Sequence, residues 1–331
     1  MNKDDRLDLL TGWVRQFDGL ADAEPVPAST DASFRRYFRV RGRDSYIVMD
    51  APPAEEDSQS FITIAGYLRS MQINVPEIIE ADLDQGFLLI SDLGSLQYLT
   101  ELEQNPEAAT DLYADAIDAL LVIQSAGNKY RKALPVYDEA LLRFELSIFR
   151  EWLCDSHLGI EFSDADQTNW QACCDVLVSC ALQQPRVFMH RDYHSRNLMV
   201  TAENNPGVLD FQGALNGPYS YDLVSLLRDC YIQWPADFVE KMVVNFHKRC
   251  GHSVSLDDFR RDFDLTGMQR QLKAAGLFAR LLHRDGKTGY LKDVPRTLGY
   301  VAEATPRYAE LAFLSELISE RVLPALAETM Q

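Results

Sequence analysis

The sequence has no long apolar run, since no stretch approaches the roughly 18 apolar residues that a membrane-spanning helix needs. Its start, MNKDDRLDLLTGWVR, is acidic from the fourth residue and lacks an apolar core, which predicts that it is not a signal peptide. The six cysteines form no CxxC pair and lie mostly in apolar helical patterns, so we expect buried, reduced thiols. These absences predict a cytoplasmic protein.

Positive charge is scarce as well, with 32 Lys and Arg against 50 Asp and Glu and a net charge of −18. Such a surface repels phosphate backbones and anionic lipid, so we expect neither nucleic acid nor a membrane as a partner. Solubility is the simplest meaning of the charge, although an acidic surface could also steer a cationic substrate. The length of 331 residues and an apolar content of 47% predict an ordered chain with two domains or lobes.

Short β-rich runs fill much of the first 94 residues. FRRYFRV and SYIVMD flank the turn RGRD and predict a hairpin. In FITIAGYLRSM apolar residues recur at helical spacing, and VPEIIEAD and GFLLISDLG read as two further strands. The expected order is therefore strand, strand, helix, strand, strand.

Helical patterns dominate after Gly94, in segments 107–125, 138–155 and 166–184. The exception is RVFMH, a polar loop, and LMVT with GVLDF, which predict a loop followed by a small hairpin. We therefore predict two parts, a β-rich one over 1–94 with one main helix and a mostly helical one over 95–331. Gly94 in SDLGS can act as a hinge.

The polar loop HRDYHSRN carries the strongest motif in the chain. His190, Asp192 and Asn197 match the pattern HRDxxxxN of phosphoryl-transfer enzymes, and Asp210 in VLDF follows 13 residues after Asn197. Such transfer needs a carboxylate beside the attacking hydroxyl and oxygen ligands for Mg²⁺. We expect Asp192 to be the catalytic base and Asn197 and Asp210 to bind the metal. The alternative is a polar turn that is capped by its own Asp and Asn side chains.

Two neighbouring features bear on this interpretation. His190 precedes the carboxylate and is expected to support the loop by hydrogen bonds. Only 11 residues separate Asp210 from Asp222, too few for the activation loop and peptide platform of a protein kinase, so no protein substrate is expected. Asp222 begins the pattern YDLVSLLRD and is interpreted as a helix-start acid that anchors the loop.

With these motifs the chain resembles the aminoglycoside phosphotransferase and choline kinase family over nearly its whole length. The resemblance implies an α+β, protein-kinase-like bilobal fold and a nucleotide substrate, ATP. It also implies that SDLG ends a hinge that carries the adenine pocket, with Ile90 and Asp92 as nucleotide contacts.

Within this family the segments ASTDASFRRYFRV, YIVMDAPPAEED and VLDFQGALNGPYSYDLVSLLRDCY look most like bacterial kinases that phosphorylate the anomeric hydroxyl of N-acetylmuramate and N-acetylglucosamine in cell-wall recycling. That resemblance implies a sugar 1-phosphate as product. Another small hydroxyl compound, such as an aminoglycoside, choline or homoserine, stays open as the acceptor. A nucleotide-binding pseudokinase without catalysis is the alternative from another class.

The sequence departs from the kinase pattern at the strand lysine that holds phosphates, because Met49 takes its place in YIVMD. The helix that would supply the partner glutamate has no carboxylate from Ser58 through Pro76. Loss of both partners is coherent, since a lone buried charge is costly. It also raises the pseudokinase alternative.

The expected Gly-rich turn is replaced by STDASFRR. Ser29, Ala32 and Ser33 are small enough to let backbone N–H groups approach phosphates. Arg35 and Arg36 are candidates to supply the missing lysine charge, but neighbours on a strand point to opposite faces, so at most one can do so. Solvated surface arginines are the alternative.

For the acceptor the sequence offers Arg143, Glu145, Arg228, Asp229 and, in the loop itself, His194. Carboxylates hydrogen-bond sugar hydroxyls, and an arginine can bind a lactyl carboxylate in a bidentate manner. Ion pairs at i, i+4 on helix surfaces explain such residues as well, and His194 fits a loop hydrogen bond.

Overall fold

The computed structural model describes residues 4–29 and 34–329, in two compact units. The first unit combines Met1–Gln97 with Leu198–Gly213, and the second combines Tyr98–Asn197 with Ala214–Gln331. The α+β fold class that the sequence predicts is confirmed by a first unit built on a five-stranded sheet and a mostly helical second unit.

The strands within the described residues are β1 (Val26–Ser29), β2 (Arg36–Arg41), β3 (Ser45–Asp50), β4 (Ile78–Asp82), β5 (Phe87–Ser91), β6 (Arg186–Met189), β7 (Leu198–Met199), β8 (Gly207–Val208) and β9 (Leu215–Pro218). The α-helices within the same residues are α1 (Asp5–Val14), α2 (Ser58–Ser70), α3 (Tyr98–Gln104), α4 (Ala109–Ala126), α5 (Glu139–Ile148), α6 (Asp164–Gln183), α7 (Tyr221–Leu227), α8 (Ala236–Arg249), α9 (Leu256–Asp285), α10 (Val294–Ala304), α11 (Ala312–Glu316) and α12 (Leu323–Thr329).

The first unit is built on an antiparallel sheet with the order β1-β2-β3-β5-β4. The predicted hairpin is β2 and β3, with Arg36 opposite Asp50, and the predicted helix and later strands are α2, β4 and β5. Helix α1 and strand β1 were not predicted. Helix α1 buries Leu10, Trp13 and Val14 in the core that the sheet shares, which ties the start of the chain to the sheet.

The second unit is mostly helical, and its longest helix is α9. The predicted helical segments correspond to α4, α5 and α6, and α5 continues into a π-helical segment over Phe149–His157. That segment packs closely on α9 at Gly276, where a Cβ would lie 2.5 Å from the Phe149 backbone. A glycine is therefore required at this crossing.

The short strands frame the motif residues. In the second unit β6 pairs with β9, and the 190–197 loop follows β6 directly. In the first unit β7 pairs with β8, which confirms the predicted small hairpin, and Asp210 follows β8. The polar residues are thus attached to strand ends whose own residues are almost all buried.

All six cysteines are free, but the expectation of buried thiols holds for only four of them, since Cys180 and Cys250 are half-buried. Each of these two lies near the solvent side of its helix end, where apolar periodicity alone did not predict exposure. Across the described residues, every helix is too short or too polar to cross a bilayer.

Candidate active site

Asp222 anchors the backbone of the 190–197 loop. It lies in the first turn of α7 and is fully buried. One carboxylate oxygen accepts the backbone N–H of His190 at 2.7 Å and the other accepts that of Arg191 at 2.8 Å. Arg191 has a backbone φ of 82°, a left-handed conformation that costs energy for a residue with a side chain. The predicted anchoring role of Asp222 is confirmed, and it holds the loop at its most strained residue.

A second buried aspartate, Asp229, holds the other side of the loop. It accepts the backbone N–H of Ser195 at 2.9 Å and the Ser195 hydroxyl at 2.5 Å. Its other oxygen accepts the backbone N–H of Tyr231 at 2.9 Å. These contacts occupy Asp229 in fixing the loop.

Asp192 is half-buried in the same loop, within a group of cations. Burial penalises its negative charge, but Lys273, His194 and Arg191 outweigh that penalty and lower the pKa of Asp192. Asp192 is therefore ionised at neutral pH. A carboxylate in this state can accept or orient the proton of a hydroxyl group.

Glu145 on α5 is the hub of the cations beside Asp192. It is 1% exposed and accepts bonds from Arg191 at 2.6 Å, Lys273 at 3.0 Å and Gln269 at 3.1 Å, and also from the Tyr137 hydroxyl. Burial opposes ionisation, but Lys273 and Arg191 prevail and lower the pKa of Glu145 to about 2. Glu145 thus neutralises two cations that also act on Asp192.

No sequence pattern predicted the part that Lys273 and Arg191 play. For Arg191, the available signal was its position within the HRDxxxxN motif. Lys273 lies on α9, where the sequence shows only core periodicity.

The other predicted acceptor residues are paired elsewhere. Arg143 forms ion pairs with Glu139 and Asp175, each at 2.8 Å, and all three side chains are at least one-third exposed. Arg228 forms an ion pair with Asp264 at 2.5 Å. His194 lies inside the loop, 3.4 Å from the amide nitrogen of Asn197. Of the five predicted residues, the structure brings Glu145 and His194 together with Asp192, whereas Asp229 holds the loop backbone.

In the first unit, Asp210 adopts a backbone φ of 58°, again a left-handed conformation. It accepts the side-chain amide of Gln212 at 2.5 Å, and a guanidinium nitrogen of Arg35 lies 3.8 Å from it. The next residue, Phe211, is fully buried, and its ring lies 4.7 Å from that of Phe61 on α2. This packing fixes the backbone while the Asp210 side chain stays 34% exposed.

Arg35, one of the two predicted candidates for the charge of the missing lysine, lies between two acids, Glu56 and Asp210. Its guanidinium binds Glu56 with contacts of 2.7 and 3.0 Å. Arg36 binds other acids, Asp50 and Asp4, so only one of the two arginines faces Asp210. Glu56 lies two residues before the start of α2, so a pattern of carboxylates within the helix itself could not reveal it.

The remaining predicted nucleotide contacts are spread over the first unit. Met49 in β3 lies opposite Leu88 and is fully buried. Ile90 in β5 is also buried. Ser33 lies outside the described residues, as does its neighbour Ala32.

Asp92 forms the turn after β5, where it accepts bonds from Arg39 at 2.7 Å, the Ser45 hydroxyl at 2.6 Å and the Gly94 N–H at 3.0 Å. Burial opposes its charge, but Arg39 and Ser45 prevail and lower the pKa of Asp92. Asp92 therefore remains a charged acceptor that holds the turn.

The donor chemistry of the motif residues suits a hard cation. Asn197 donates its amide N–H to the Asp192 carbonyl at 2.9 Å, which leaves its oxygen end as the one suited to a metal, and Asp210 offers carboxylate oxygens. Within residues 4–29 and 34–329, His, Cys, Asp and Glu side chains form no group of three that could hold an ion. Mg²⁺ sites in phosphoryl transfer need only one or two protein oxygens, with phosphates and water completing the shell.

A family model described as the phosphotransferase enzyme family matches residues 24–256 of the chain. The N-acetylmuramate/N-acetylglucosamine kinase of Pseudomonas aeruginosa is 48% identical over 312 residues, covering 92% of this chain and 90% of that protein. The protein of the same name from Neisseria meningitidis is 41% identical over 326 residues, covering 95% of each chain.

Solved structures show the same fold at much lower identity. A choline kinase from Streptococcus pneumoniae matches with a TM-score of 0.64 at 11% identity, covering 89% of this chain and 98% of the other. An aminoglycoside phosphotransferase bound to ADP matches with a TM-score of 0.59 at 13% identity, covering 90% of this chain and 98% of the other.

Proposed function

We propose that this chain, which belongs to the phosphotransferase enzyme family, is an ATP-dependent kinase for N-acetylmuramate and N-acetylglucosamine. The observation that carries the proposal is the identity of 41 to 48% over at least nine-tenths of the chain to kinases of that name. The intact motif loop supports it, because Asp192 is kept ionised and Asp222 and Asp229 hold its backbone.

In the proposed reaction, Asp192 accepts or orients the proton of the anomeric hydroxyl while that oxygen attacks the γ-phosphorus of ATP. An oxygen–phosphorus bond forms to the sugar, and the bond from phosphorus to the bridging oxygen of ADP breaks. The products are a sugar 1-phosphate and ADP. Formation at the anomeric position, and a place in cell-wall recycling in the cytoplasm, follow from the sequence resemblance.

Asn197 and Asp210 are the proposed holders of Mg²⁺, through an amide and a carboxylate oxygen. The ion, when bound with ATP, neutralises phosphate charge. The left-handed backbone at Asp210 and the bond from Asn197 to the Asp192 carbonyl preset these two side chains.

The nucleotide is proposed to lie against the first unit. Arg35 replaces the strand lysine, with Glu56 as its partner in place of the helix glutamate. Ile90 and Asp92 are proposed contacts of the adenine end, while Met49 lines that region from the sheet. Ser33 is proposed to approach the phosphates through its backbone.

The charge around Asp192 weighs against a cationic acceptor such as an aminoglycoside or choline. Lys273, Arg191 and Arg270 all act on Asp192 by their positive charge. Against these three cations stand the two acids Asp192 and Glu145, so this group has no excess negative charge to attract a further cation, and a neutral or anionic sugar needs none. Homoserine, a zwitterion without net charge, is tested as an acceptor together with the sugars.

The experiment is a coupled assay of ADP release with each candidate acceptor, followed by phosphorus NMR of the product. We expect turnover with N-acetylmuramate and N-acetylglucosamine and the doublet of an anomeric phosphate. Turnover confined to an aminoglycoside or choline would replace the proposed acceptor, and nucleotide binding without ADP release would indicate a pseudokinase.

A further inference from the structure

Helix α9 presents a half-exposed face that begins beside the proposed catalytic base. Lys273, Leu277 and Arg280 are spaced i, i+4 and i+7 and so share one face of the helix. Lys273 contacts Glu145 at 3.0 Å and lowers the pKa of Asp192. Two helical turns, about 10 Å, separate Lys273 from Arg280 along the axis. The face therefore extends from the proposed reacting position to a second cation, Arg280. The distance between its two ends is about the length of a substituted hexose.

Other parts of the second unit pack on the two sides of this face of α9 without fully covering Leu277 or Arg280. On one side, Gly276 packs against the Phe149 backbone and the ring of His283 lies 5.2 Å from that of His157. On the other side, Phe278 stacks on Tyr290 with ring centroids 5.6 Å apart. The π-helical segment and the aromatic side chains thus flank the face that Leu277 and Arg280 occupy, and both of these residues are half-exposed.

Arg280 differs from other arginines of α9 in its electrostatic partners. Arg284 pairs with Asp285 at 2.8 Å and Arg261 pairs with Glu310 at 2.7 Å. Arg280 forms no ion pair with any described residue, and its Nε is buried without a hydrogen-bond partner there. Burial and the like charge of Arg284 lower the pKa of Arg280. A half-buried guanidinium in this state gains from an incoming anion.

We propose that Arg280 binds the lactyl carboxylate of N-acetylmuramate, the group that N-acetylglucosamine lacks. This inference rests on the proposed function, since it concerns the second end of the same acceptor. A guanidinium matches a carboxylate in a bidentate geometry, and neutral N-acetylglucosamine needs no such partner. Arg280 is thus a residue that selects between two substrates of one enzyme.

The test compares Arg280→Gln with the unaltered enzyme on both sugars. We expect kcat/KM for N-acetylmuramate to fall about tenfold or more, since the variant loses a hydrogen-bonded charge pair with the carboxylate. The value for N-acetylglucosamine should change by less than about twofold. Arg280→Lys should recover part of the loss. Arg261→Gln, which removes a paired arginine near the other end of α9, should leave the ratio of the two sugars unchanged.

A chemical change to the ligand provides a check on the unaltered enzyme. The methyl ester of N-acetylmuramate removes the negative charge, so the unaltered enzyme should use it about tenfold less well than the acid, and Arg280→Gln should not distinguish acid from ester. Equal losses for both sugars, or an unaltered enzyme that uses acid and ester alike, would overturn the role of Arg280. An unaltered enzyme that phosphorylates neither sugar would instead overturn the proposed function.

Discussion

The 190–197 loop in the second unit and the segment around Asp210 in the first unit hold their functional carboxylates in different ways. The loop is fixed through its backbone by two fully buried aspartates, Asp222 and Asp229. Asp210 has a fixed backbone too, but its half-exposed side chain meets Gln212 and Arg35.

The difference matches what each carboxylate is proposed to do. A buried carboxyl group that loses its hydrogen-bond donors costs about 1–3 kcal/mol, so the bonds of Asp222 and Asp229 hold the backbone around Asp192 in place. A half-exposed ion pair at 3.8 Å is worth little, so Asp210 can exchange Arg35 for a metal ion without a large penalty. The backbone at the proposed base, Asp192, is thus held rigidly. The contacts of the proposed metal ligand, Asp210, can be exchanged.

Asp192→Asn is the substitution with the largest expected effect on the rigid region. The amide keeps the shape of the side chain but cannot accept a proton, so kcat should fall by about 10²- to 10⁴-fold. Steady-state ADP release measures the loss, and equilibrium titration with ATP in the presence of Mg²⁺ should show an affinity within about twofold of the original.

The outcome separates an enzyme from a pseudokinase. If Asp192→Asn released ADP as fast as the unaltered protein does in the same assay, that ADP release would not depend on the 190–197 loop. Asn197→Ala offers a second measurement, because it removes a proposed metal ligand and should raise the Mg²⁺ concentration at which the rate is half-maximal.

Glu145→Gln tests whether the cations beside Asp192 need their buried acid. Because the folded-state pKa of Glu145, about 2, lies below its ordinary value of 4.5, its ionisation stabilises the fold above pH 4.5. That contribution, about 3 kcal/mol, is lost as the pH falls from 4.5 through 2. The variant should therefore be less stable at pH 7 and lose less of its stability on acidification.

Denaturant unfolding at a series of pH values measures this effect. The matched control is Glu139→Gln on the same helix, since Glu139 is 57% exposed and pairs only with surface Arg143. We expect a change below about 0.5 kcal/mol for the control. Equal and small changes for both variants would show that Glu145 does not hold the cation group together.

Local patterns in the sequence predicted the parts of the site that lie within one segment. The motif spacing gives Asp192, Asn197 and Asp210 as candidates whose roles stay a prediction, and the helix-start position predicted Asp222 as the anchor of the loop. Strand and helix periodicity predicted the β2–β3 hairpin, α2 and the helices of the second unit.

Partners that come from distant segments could not be predicted in this way. Glu145 meets Lys273 across 128 residues of sequence, and only the packing of α5 on α9 brings them together. Helix α1 was missed because its acidic start suggests a solvated segment, whereas its apolar stripe packs on the sheet. Glu56 was missed because it lies in a loop, two residues before the helix that was searched.

Arg35→Met tests the exchangeable region and carries the smallest expected effect. If Arg35 replaces the strand lysine, its loss should raise KM for ATP by about tenfold, the equivalent of one charged hydrogen bond. Arg36→Met is the matched control, because Arg36 pairs with Asp4 and Asp50 and should change stability but not KM for ATP.

Glu56→Gln and the double variant then show whether Glu56 acts through Arg35. The two residues are joined at 2.7 Å, so their effects on KM for ATP should be non-additive, with the double variant no worse than Arg35→Met alone. Steady-state kinetics across ATP concentrations at saturating Mg²⁺ measures all four forms. Additive effects would mean that Glu56 meets the nucleotide independently, and an unchanged KM in Arg35→Met would leave the missing lysine without a substitute at this position.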